Sequence, residues 1–270
     1  MSKFLRRTIV SAVLMAFVFA AIFRLPNWVF CVVICAFVAC GLYEFFHMVE
    51  HRKIFVYKYF GTATGALIPV VIYMGNSLPE IKNLEPLLIV VGSLLALTLQ
   101  FARRDDAGDH LISAALTLFG LFYIAWFFSF FVKIKFLPNG SELVMFLVLV
   151  TKSADMGAYV IGSRFGRREL IPRISPKKTV EGTLGGVATS VIISMISGKF
   201  LTGYSYAHLM VLGFMLALIG QVGDLAESLI KRNCNIKDSG AYLPGIGGVL
   251  DLLDSLLFTA PIFYFYVKTF

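Results

Sequence analysis

Apolar runs of membrane-spanning length recur along the whole chain and leave room for only one class of fold. A helix of about 20 apolar residues crosses the hydrocarbon core of a bilayer, and 58% of the 270 residues are hydrophobic. The runs therefore predict an all-α, polytopic membrane helical bundle with about nine transmembrane helices. The predicted spans are 8–23, 27–47, 55–75, 86–102, 109–133, 141–162, 183–198, 208–230 and 248–268.

The positions of the basic residues predict the orientation of this bundle. Lys and Arg are enriched in the cytoplasmic loops of membrane proteins. With a cytoplasmic N-terminus, most of the 24 Lys and Arg residues lie on the cytoplasmic side, and the opposite side keeps Arg24, Lys82, Lys133, Lys135, Lys199 and Lys268. The net charge of +8 then suits anionic lipid or a polyphosphate. We expect no nucleic-acid partner, because no soluble basic domain is available to bind one.

Ionisable residues divide the chain into two predicted parts. Residues 1–140 are expected to form N-terminal scaffold helices. Residues 141–270 are expected to form a motif-bearing part, with cytoplasmic loops at 163–183 and 231–248. In the scaffold, the intramembrane acid Glu44 either lines a cavity or extends its carboxylate to the helix end.

The helix predicted at 141–162 contains a pair of opposite charges and a stripe of small residues. Lys152 and Asp155 lie three residues apart, so they either form a structural ion pair or place Asp155 at the floor of a polar cavity. Small residues at every fourth position allow another helix to approach closely. The stripe consists of Ala154, Ala158, Gly162 and Gly166.

The loop that follows is rich in basic residues and is expected to contain a helix N-terminus. Ser175 is the predicted N-cap, and Pro176 is the predicted first helical residue. Lys177 and Lys178 then lie in the first turn, where free backbone N–H groups and ammonium groups together favour a phosphate chain. The alternative is a basic cytoplasmic loop that has no ligand.

The most highly charged stretch, 223–255, connects the last two predicted helices. If 222–231 is helical, one of its faces presents Asp224, Glu227, Ser228 and Lys231. Asp251 and Asp254 share a face of the next helix in the same way. Carboxylates without His or Cys ligands suit a hard cation such as Mg²⁺, and nearby Lys and Arg residues suit a phosphate substrate.

Two motifs in the second part of the chain resemble one family. The run S-x-I-K-R-x4-K-D-S-G-x-x-L-P-G-x-G-G-x-x-D-x-x-D at 228–254 is similar to the signature of the CDP-diacylglycerol synthases, also called phosphatidate cytidylyltransferases. Upstream, D-x-G-A-Y at 155–159 and I-S-P-K-K-T-x-E-G at 174–182 resemble a second block of that family. Two long motifs in the right order are far more specific than a single glycine-rich loop.

The resemblance implies a reaction in phospholipid biosynthesis. A phosphate oxygen of phosphatidic acid attacks the α-phosphorus of CTP, and the products are CDP-diacylglycerol and diphosphate. Such a transfer depends on charge neutralisation and in-line positioning. The resemblance further implies Mg²⁺ as the cofactor, membrane lipid as a partner and a homodimer. It also implies a location in the bacterial inner (plasma) membrane, with the active site on the cytoplasmic side.

The resemblance also implies roles for individual residues. The metal ligands that it implies are Asp224, Asp251 and Asp254. The catalytic residues that it implies are Lys237, Asp238 and Asp251. The residues that would hold the triphosphate or the lipid phosphate are Ser175, Lys177, Lys178, Lys231 and Arg232.

Two positions depart from the pattern of this family. The family typically has a His in P-G-H-G-G and an Arg in D-R-x-D, where this chain has Ile246 and Leu252. The departures remove an imidazole and a guanidinium, both of which can contact phosphate. A catalytically impaired relative that binds lipid or nucleotide is therefore the alternative function. A second alternative is an ion-coupled transporter that uses Glu44, Asp155 and the carboxylate cluster as an ion path.

Overall fold

The computed structural model describes residues 15–81, 83–102, 109–237, 239–240 and 247–270. Two residues of interest lie outside these ranges: Asp238, a predicted catalytic residue, and Ile246, which differs from the family pattern. The described part of the chain is almost entirely helical. Its α-helices are α1 (15–23), α2 (Asn27–Glu50), α3 (Lys58–Ser77), α4 (Leu84–Thr98), α5 (His110–Gly120), α6 (Phe127–Lys135), α7 (Gly140–Phe165), α8 (Val180–Leu201), α9 (Tyr206–Asn233) and α10 (Val249–Thr269).

Seven helical spans within the described ranges are long and apolar enough to cross a membrane. They are Asn27–Glu50, Leu84–Ala102, His110–Lys135, Gly140–Phe165, Val180–Leu201, Tyr206–Asn233 and Val249–Thr269. The third of them joins α5 to α6 through a π-helical segment, Leu121–Trp126. Helices suit a bilayer because they satisfy their own backbone hydrogen bonds. The protein is an integral membrane protein, and the prediction of an all-α, polytopic membrane bundle is confirmed.

The number of nine spans and the cytoplasmic N-terminus stay predictions. The predicted span 55–75 corresponds to α3, a helix that contains Pro69 and is not among the seven spans found in the described residues. The predicted span 8–23 is described only from residue 15 onward, as α1.

The loop between α7 and α8 contains a two-stranded antiparallel sheet, so the prediction of a helix that begins at Pro176 with Ser175 as its N-cap is wrong. Strand β1 (Glu169–Ile171) pairs with strand β2 (Ser175–Thr179). Helix α8 begins after this hairpin, where the Thr179 hydroxyl accepts a hydrogen bond from the Gly182 N–H at 3.1 Å. The local signal was ambiguous, because proline is tolerated both at a first helical position and on an edge strand. Thr179 is also a good N-cap.

Close contacts divide the chain into two units, which we describe separately. The first unit contains the described residues up to Phe136 together with Cys234–Leu252. The second unit contains Leu137–Asn233 together with Leu253–Phe270. A division of function near residue 140 stays a prediction.

Within the second unit, α7 and α8 pack closely because small residues line their contact. A Cβ added at Gly186 would lie 2.7 Å from the carbonyl oxygen of Ala154. A Cβ added at Gly182 would lie 2.9 Å from the carbonyl oxygen of Ala158. The first three members of the predicted stripe, Ala154, Ala158 and Gly162, are thus confirmed as the surface on which α8 packs, whereas Gly166 lies just beyond the end of α7.

Candidate functional site

Three carboxylates of the second unit converge between α9 and α10. Asp224 and Glu227 lie one turn apart on α9, and Asp254 lies on α10. One oxygen atom from each of these three residues lies within 4.8 Å of the other two. Glu227 is fully buried and Asp254 is 9% exposed, whereas Asp224 is half-buried. A group of carboxylates this close and this buried requires positive charge nearby.

The close approach of α9 to α10 depends on the glycine that precedes Asp224. A Cβ added at Gly223 would lie 2.5 Å from the backbone carbonyl oxygen of Asp254 and 3.3 Å from the Cα of Ser255. Only a residue without a side chain allows this contact, because a backbone atom cannot move aside as a flexible side chain can. The sequence Gly223–Asp224 therefore brings the two helices, and with them their carboxylates, together.

An ammonium group accompanies each of the three carboxylates. Lys178 Nζ lies 2.6 Å from Asp224 Oδ2, and Lys231 Nζ lies 2.7 Å from Glu227 Oε2. Asp254 is the most weakly paired, with Lys152 Nζ at 3.8 Å from its Oδ1 atom. The three lysines lie on β2, α9 and α7. Separate elements of the second unit therefore supply the positive charges that neutralise the carboxylates.

Lys152 also forms the predicted ion pair with Asp155, at 3.1 Å. Its Nζ atom donates a hydrogen bond to Ser255 Oγ at 2.9 Å, and Ser255 Oγ in turn donates to Asp155 Oδ2 at 3.0 Å. Ser255 is the residue directly after Asp254. The ion pair is therefore formed, and the same network extends the polar site from Asp254 to α7.

Glu227 is the member of the cluster to which the family resemblance assigned no role, although helical spacing placed it on the same face as Asp224. Its spacing of three residues from Asp224 was the available signal.

Asp251, the predicted ligand and catalytic residue, lies in the first unit. There its Oδ2 atom accepts hydrogen bonds from the Ser239 N–H at 3.2 Å, the Ser239 hydroxyl at 3.0 Å and the Gly248 N–H at 2.9 Å. Asp251 therefore connects Ser239 to Gly248, the residue directly before α10.

The predicted substrate-binding residues differ in their surroundings. Lys178 and Lys231 contact the carboxylate cluster. Ser175 is half-buried at the start of β2, and Lys177 on the same strand is exposed. Arg232 is exposed, and its Nε atom donates a hydrogen bond to a backbone carbonyl of the turn before β2 at 3.4 Å. The predicted catalytic residue Lys237 lies in the first unit and is also exposed.

The thiol of Cys234, at the turn after α9, is buried at 8% exposure. Burial raises the pKa of this thiol, and the positive charge of Arg52 offsets the increase only in part. The thiol therefore stays protonated at neutral pH and is a poor nucleophile. The charged groups that lie together in the cluster are carboxylates and the ammonium groups of lysines.

The fold and the site together define a class: an integral membrane protein of α-helices whose polar site combines clustered carboxylates with lysines. The sequence profile of the cytidylyltransferase family matches residues 5–270. The chain belongs to the cytidylyltransferase family.

Several curated proteins are similar to this chain. The chain is 40% identical to the phosphatidate cytidylyltransferase of Bacillus subtilis over 55% of its own length and 56% of that protein. It is 38% identical to the uncharacterized protein YnbB of Escherichia coli, over 66% of this chain and 61% of that protein. A phosphatidate cytidylyltransferase of Synechocystis is 28% identical over 96% of this chain and 95% of that protein. The matches to the first two proteins thus span less than two thirds of their lengths.

Proposed function

We propose that this protein is a phosphatidate cytidylyltransferase, which converts CTP and phosphatidic acid into CDP-diacylglycerol and diphosphate. The observation that carries the proposal is the cluster of Asp224, Glu227 and Asp254, in which each carboxylate has a lysine beside it. Membership of the cytidylyltransferase family and the names of the relatives support the same function.

The proposed reaction transfers a cytidylyl group between two phosphates. A phosphate oxygen of phosphatidic acid forms a bond to the α-phosphorus of CTP, and the bond from that phosphorus to the bridging oxygen of the β-phosphate breaks. Diphosphate leaves with the electron pair of that bond. Because both substrates are anionic, the protein must neutralise charge and hold the reacting groups in line. Lys178 and Lys231 are the ammonium groups best placed to donate hydrogen bonds to phosphate oxygens.

The donor set of the cluster fits Mg²⁺. Carboxylate oxygens are the ligands that this hard cation prefers, and Asp224, Glu227 and Asp254 bring three such atoms within 4.8 Å of one another. We propose that these residues hold the ion. Bound Mg²⁺ would neutralise charge on the triphosphate and polarise the phosphoryl oxygen. The role of Asp251 as a further ligand stays a prediction.

The proposal also covers the location of the protein and its partners. The predicted orientation puts the basic hairpin on the cytoplasmic side, where CTP is available. We therefore propose a bacterial inner (plasma) membrane location with the site facing the cytoplasm. Phosphatidic acid would reach the site from the surrounding lipid. A homodimer is proposed from the family resemblance alone.

The test is CTP turnover by the purified full-length protein in mixed micelles that contain phosphatidic acid. We expect CDP-diacylglycerol to form with Mg²⁺ and not with EDTA. Replacing Asp254 with Asn should lower kcat by about a hundredfold or more, the scale expected for loss of one electrostatic contact in a transition state.

The matched control is Glu142→Gln, the same change from carboxylate to amide in the first turn of α7. This variant should retain wild-type activity, because Glu142 is not part of the carboxylate cluster. If the wild-type protein binds CTP but forms no product with Mg²⁺, the proposed function is wrong.

A further inference from the structure

A further buried carboxylate lies in the first unit, on a helix that the sequence assigned to the scaffold. Glu44 of α2 is 1% exposed. Its Oε1 atom accepts a hydrogen bond from the Val249 N–H at 2.8 Å, and its Oε2 atom accepts one from the Leu250 N–H at 2.8 Å. The Ser239 hydroxyl lies 3.1 Å from Oε2 as well. Both oxygens of Glu44 are thus directed at the first turn of α10 and the loop before it.

These bonds satisfy backbone groups that a helix cannot satisfy by itself. The first four N–H groups of a helix have no partner within it. Glu44 accepts from two of them, although it lies 205 residues before Val249. Asp251, the third residue of the helix, accepts from the Gly248 N–H, as the residue at this position does in a capping box. A negative charge at this end of a helix is also favoured by the helix dipole.

Two glycines allow the backbone to reach the Glu44 carboxylate. A Cβ added at Gly240 would lie 2.6 Å from Glu44 Oε1, and a Cβ added at Gly248 would lie 2.7 Å from Glu44 Oε2. Both distances are too short for a carbon atom. The backbone at Gly240 and at Gly248 therefore approaches Glu44 so closely that a side chain at either position would displace the carboxylate.

We propose that Glu44 is a positioning residue for the candidate active site, because it fixes the first turn of α10. The proposal rests on the proposed function. Asp251 lies in that turn, and Asp254 lies one turn further along the same helix. If the start of α10 frays, the positions of both carboxylates become less well defined. An acid of the N-terminal helices would thus support the reaction without touching a substrate.

The informative variant is Glu44→Gln, which keeps the size of the side chain. An amide has only one acceptor oxygen, so its NH₂ group would face either the Val249 or the Leu250 N–H, and two donors would oppose each other. We expect backbone amides in peptides that cover 247–256 to exchange hydrogen at least tenfold faster in this variant. We also expect kcat to fall at least tenfold, while KM for phosphatidic acid stays within twofold of the wild-type value.

The matched control is Glu50→Gln on the same helix. Glu50 forms an ion pair with Lys58 at 3.1 Å and is much more exposed than Glu44. This variant should leave both the exchange of 247–256 and kcat unchanged. If Glu44→Gln does not fold, Glu44→Asp keeps the charge but withdraws the oxygens by one methylene, and the faster exchange of 247–256 is then expected in that variant.

The two measurements separate the failure of this inference from the failure of the proposed function. Wild-type protein that forms no product contradicts the proposed function, whereas hydrogen exchange still tests the contact between Glu44 and α10. Wild-type exchange in Glu44→Gln would overturn the contact. Faster exchange together with an unchanged kcat in an active protein would overturn the positioning role and leave the proposed function intact.

Discussion

Lys152 shows how the charge of the site is balanced at the scale of single residues. The family resemblance assigns an arginine to the position of Leu252 on α10. In this protein, the positive charge beside Asp254 comes instead from Lys152 of α7, at 3.8 Å from Asp254 and 3.1 Å from Asp155. Neighbouring carboxylates destabilise each other when no cation separates them. We therefore expect Lys152 to stabilise the site when no Mg²⁺ is bound.

Replacing Lys152 with Met should lower the Tm of the purified protein in EDTA by a few degrees. The lost interaction is worth about 1 kcal/mol, because the lysine and its partner Asp155 are partly exposed to solvent. Mg²⁺ should raise the Tm of the variant more than that of the wild type, because the ion supplies the missing positive charge. The measurement is thermal unfolding in detergent with and without Mg²⁺.

Lys268→Met is the control for this prediction, since Lys268 is exposed near the end of the same helix that carries Asp254. This variant should have the same Tm as the wild type, both in EDTA and with Mg²⁺. A Lys152→Met protein that melts at the wild-type temperature in EDTA would show that the ammonium group contributes nothing to the stability of the site.

At the scale of helices, the site depends on how closely α9 and α10 approach each other. Gly223 and Gly220 lie on the same face of α9, yet they differ in what surrounds them. A Cβ at Gly223 would lie 2.5 Å from a backbone oxygen, whereas a Cβ at Gly220 would meet only side-chain atoms at 3.5 Å or more. The first distance requires the helices to separate, and the second is ordinary van der Waals contact.

Gly223→Ala should therefore lower activity at least tenfold and raise the Mg²⁺ concentration that gives half-maximal activity. The added methyl group would push the Asp254 backbone away from Asp224, and a metal site tolerates little change in the spacing of its ligands. Activity is measured by CTP turnover over a series of Mg²⁺ concentrations. Gly220→Ala, the same substitution one turn earlier, should behave like the wild type. Equal behaviour of the two variants would contradict the proposed importance of the helix contact.

At the scale of the whole molecule, the arrangement of charge follows from the membrane. In the second unit, the hairpin after α7 carries several exposed basic residues, namely Arg167, Arg168, Arg173 and Lys177. The turn that joins α8 to α9 at the other end of these helices has only Lys199 beside it. The positive-inside rule therefore predicts that the hairpin end faces the cytoplasm. This is the end of the second unit at which Lys178 contacts Asp224.

Tags at the two ends of the chain test this orientation in bacterial cells. Protease added to spheroplasts should remove a C-terminal tag and leave an N-terminal tag intact. In inside-out vesicles the result should be reversed, because the cytoplasmic side is then exposed to the protease. Removal of the N-terminal tag in intact spheroplasts would contradict the predicted orientation and the cytoplasmic site that depends on it.

The helices of this protein could be predicted from local sequence because the bilayer leaves the chain few alternatives. Backbone groups in hydrocarbon must be paired within the span, so each long apolar run becomes a helix. Helical periodicity then placed Asp224, Glu227 and Lys231 on one face, as the structure has them. The recurrence of small residues at every fourth position likewise predicted the stripe of α7. These features depend only on residues that are close in sequence.

The remaining features depend on tertiary contacts, which local patterns do not encode. The residues Ser175 and Pro176 favoured a helix start by local sequence, but pairing with Glu169–Ile171 placed Ser175–Thr179 in a hairpin instead. The pairing of Lys178 with Asp224, and of Lys152 with Asp254, required helices and strands to pack. The bonds from Glu44 to α10 join residues 205 and 206 positions apart. Only packing could determine these pairs, because a buried carboxylate takes its partners from whatever donors the fold brings to it.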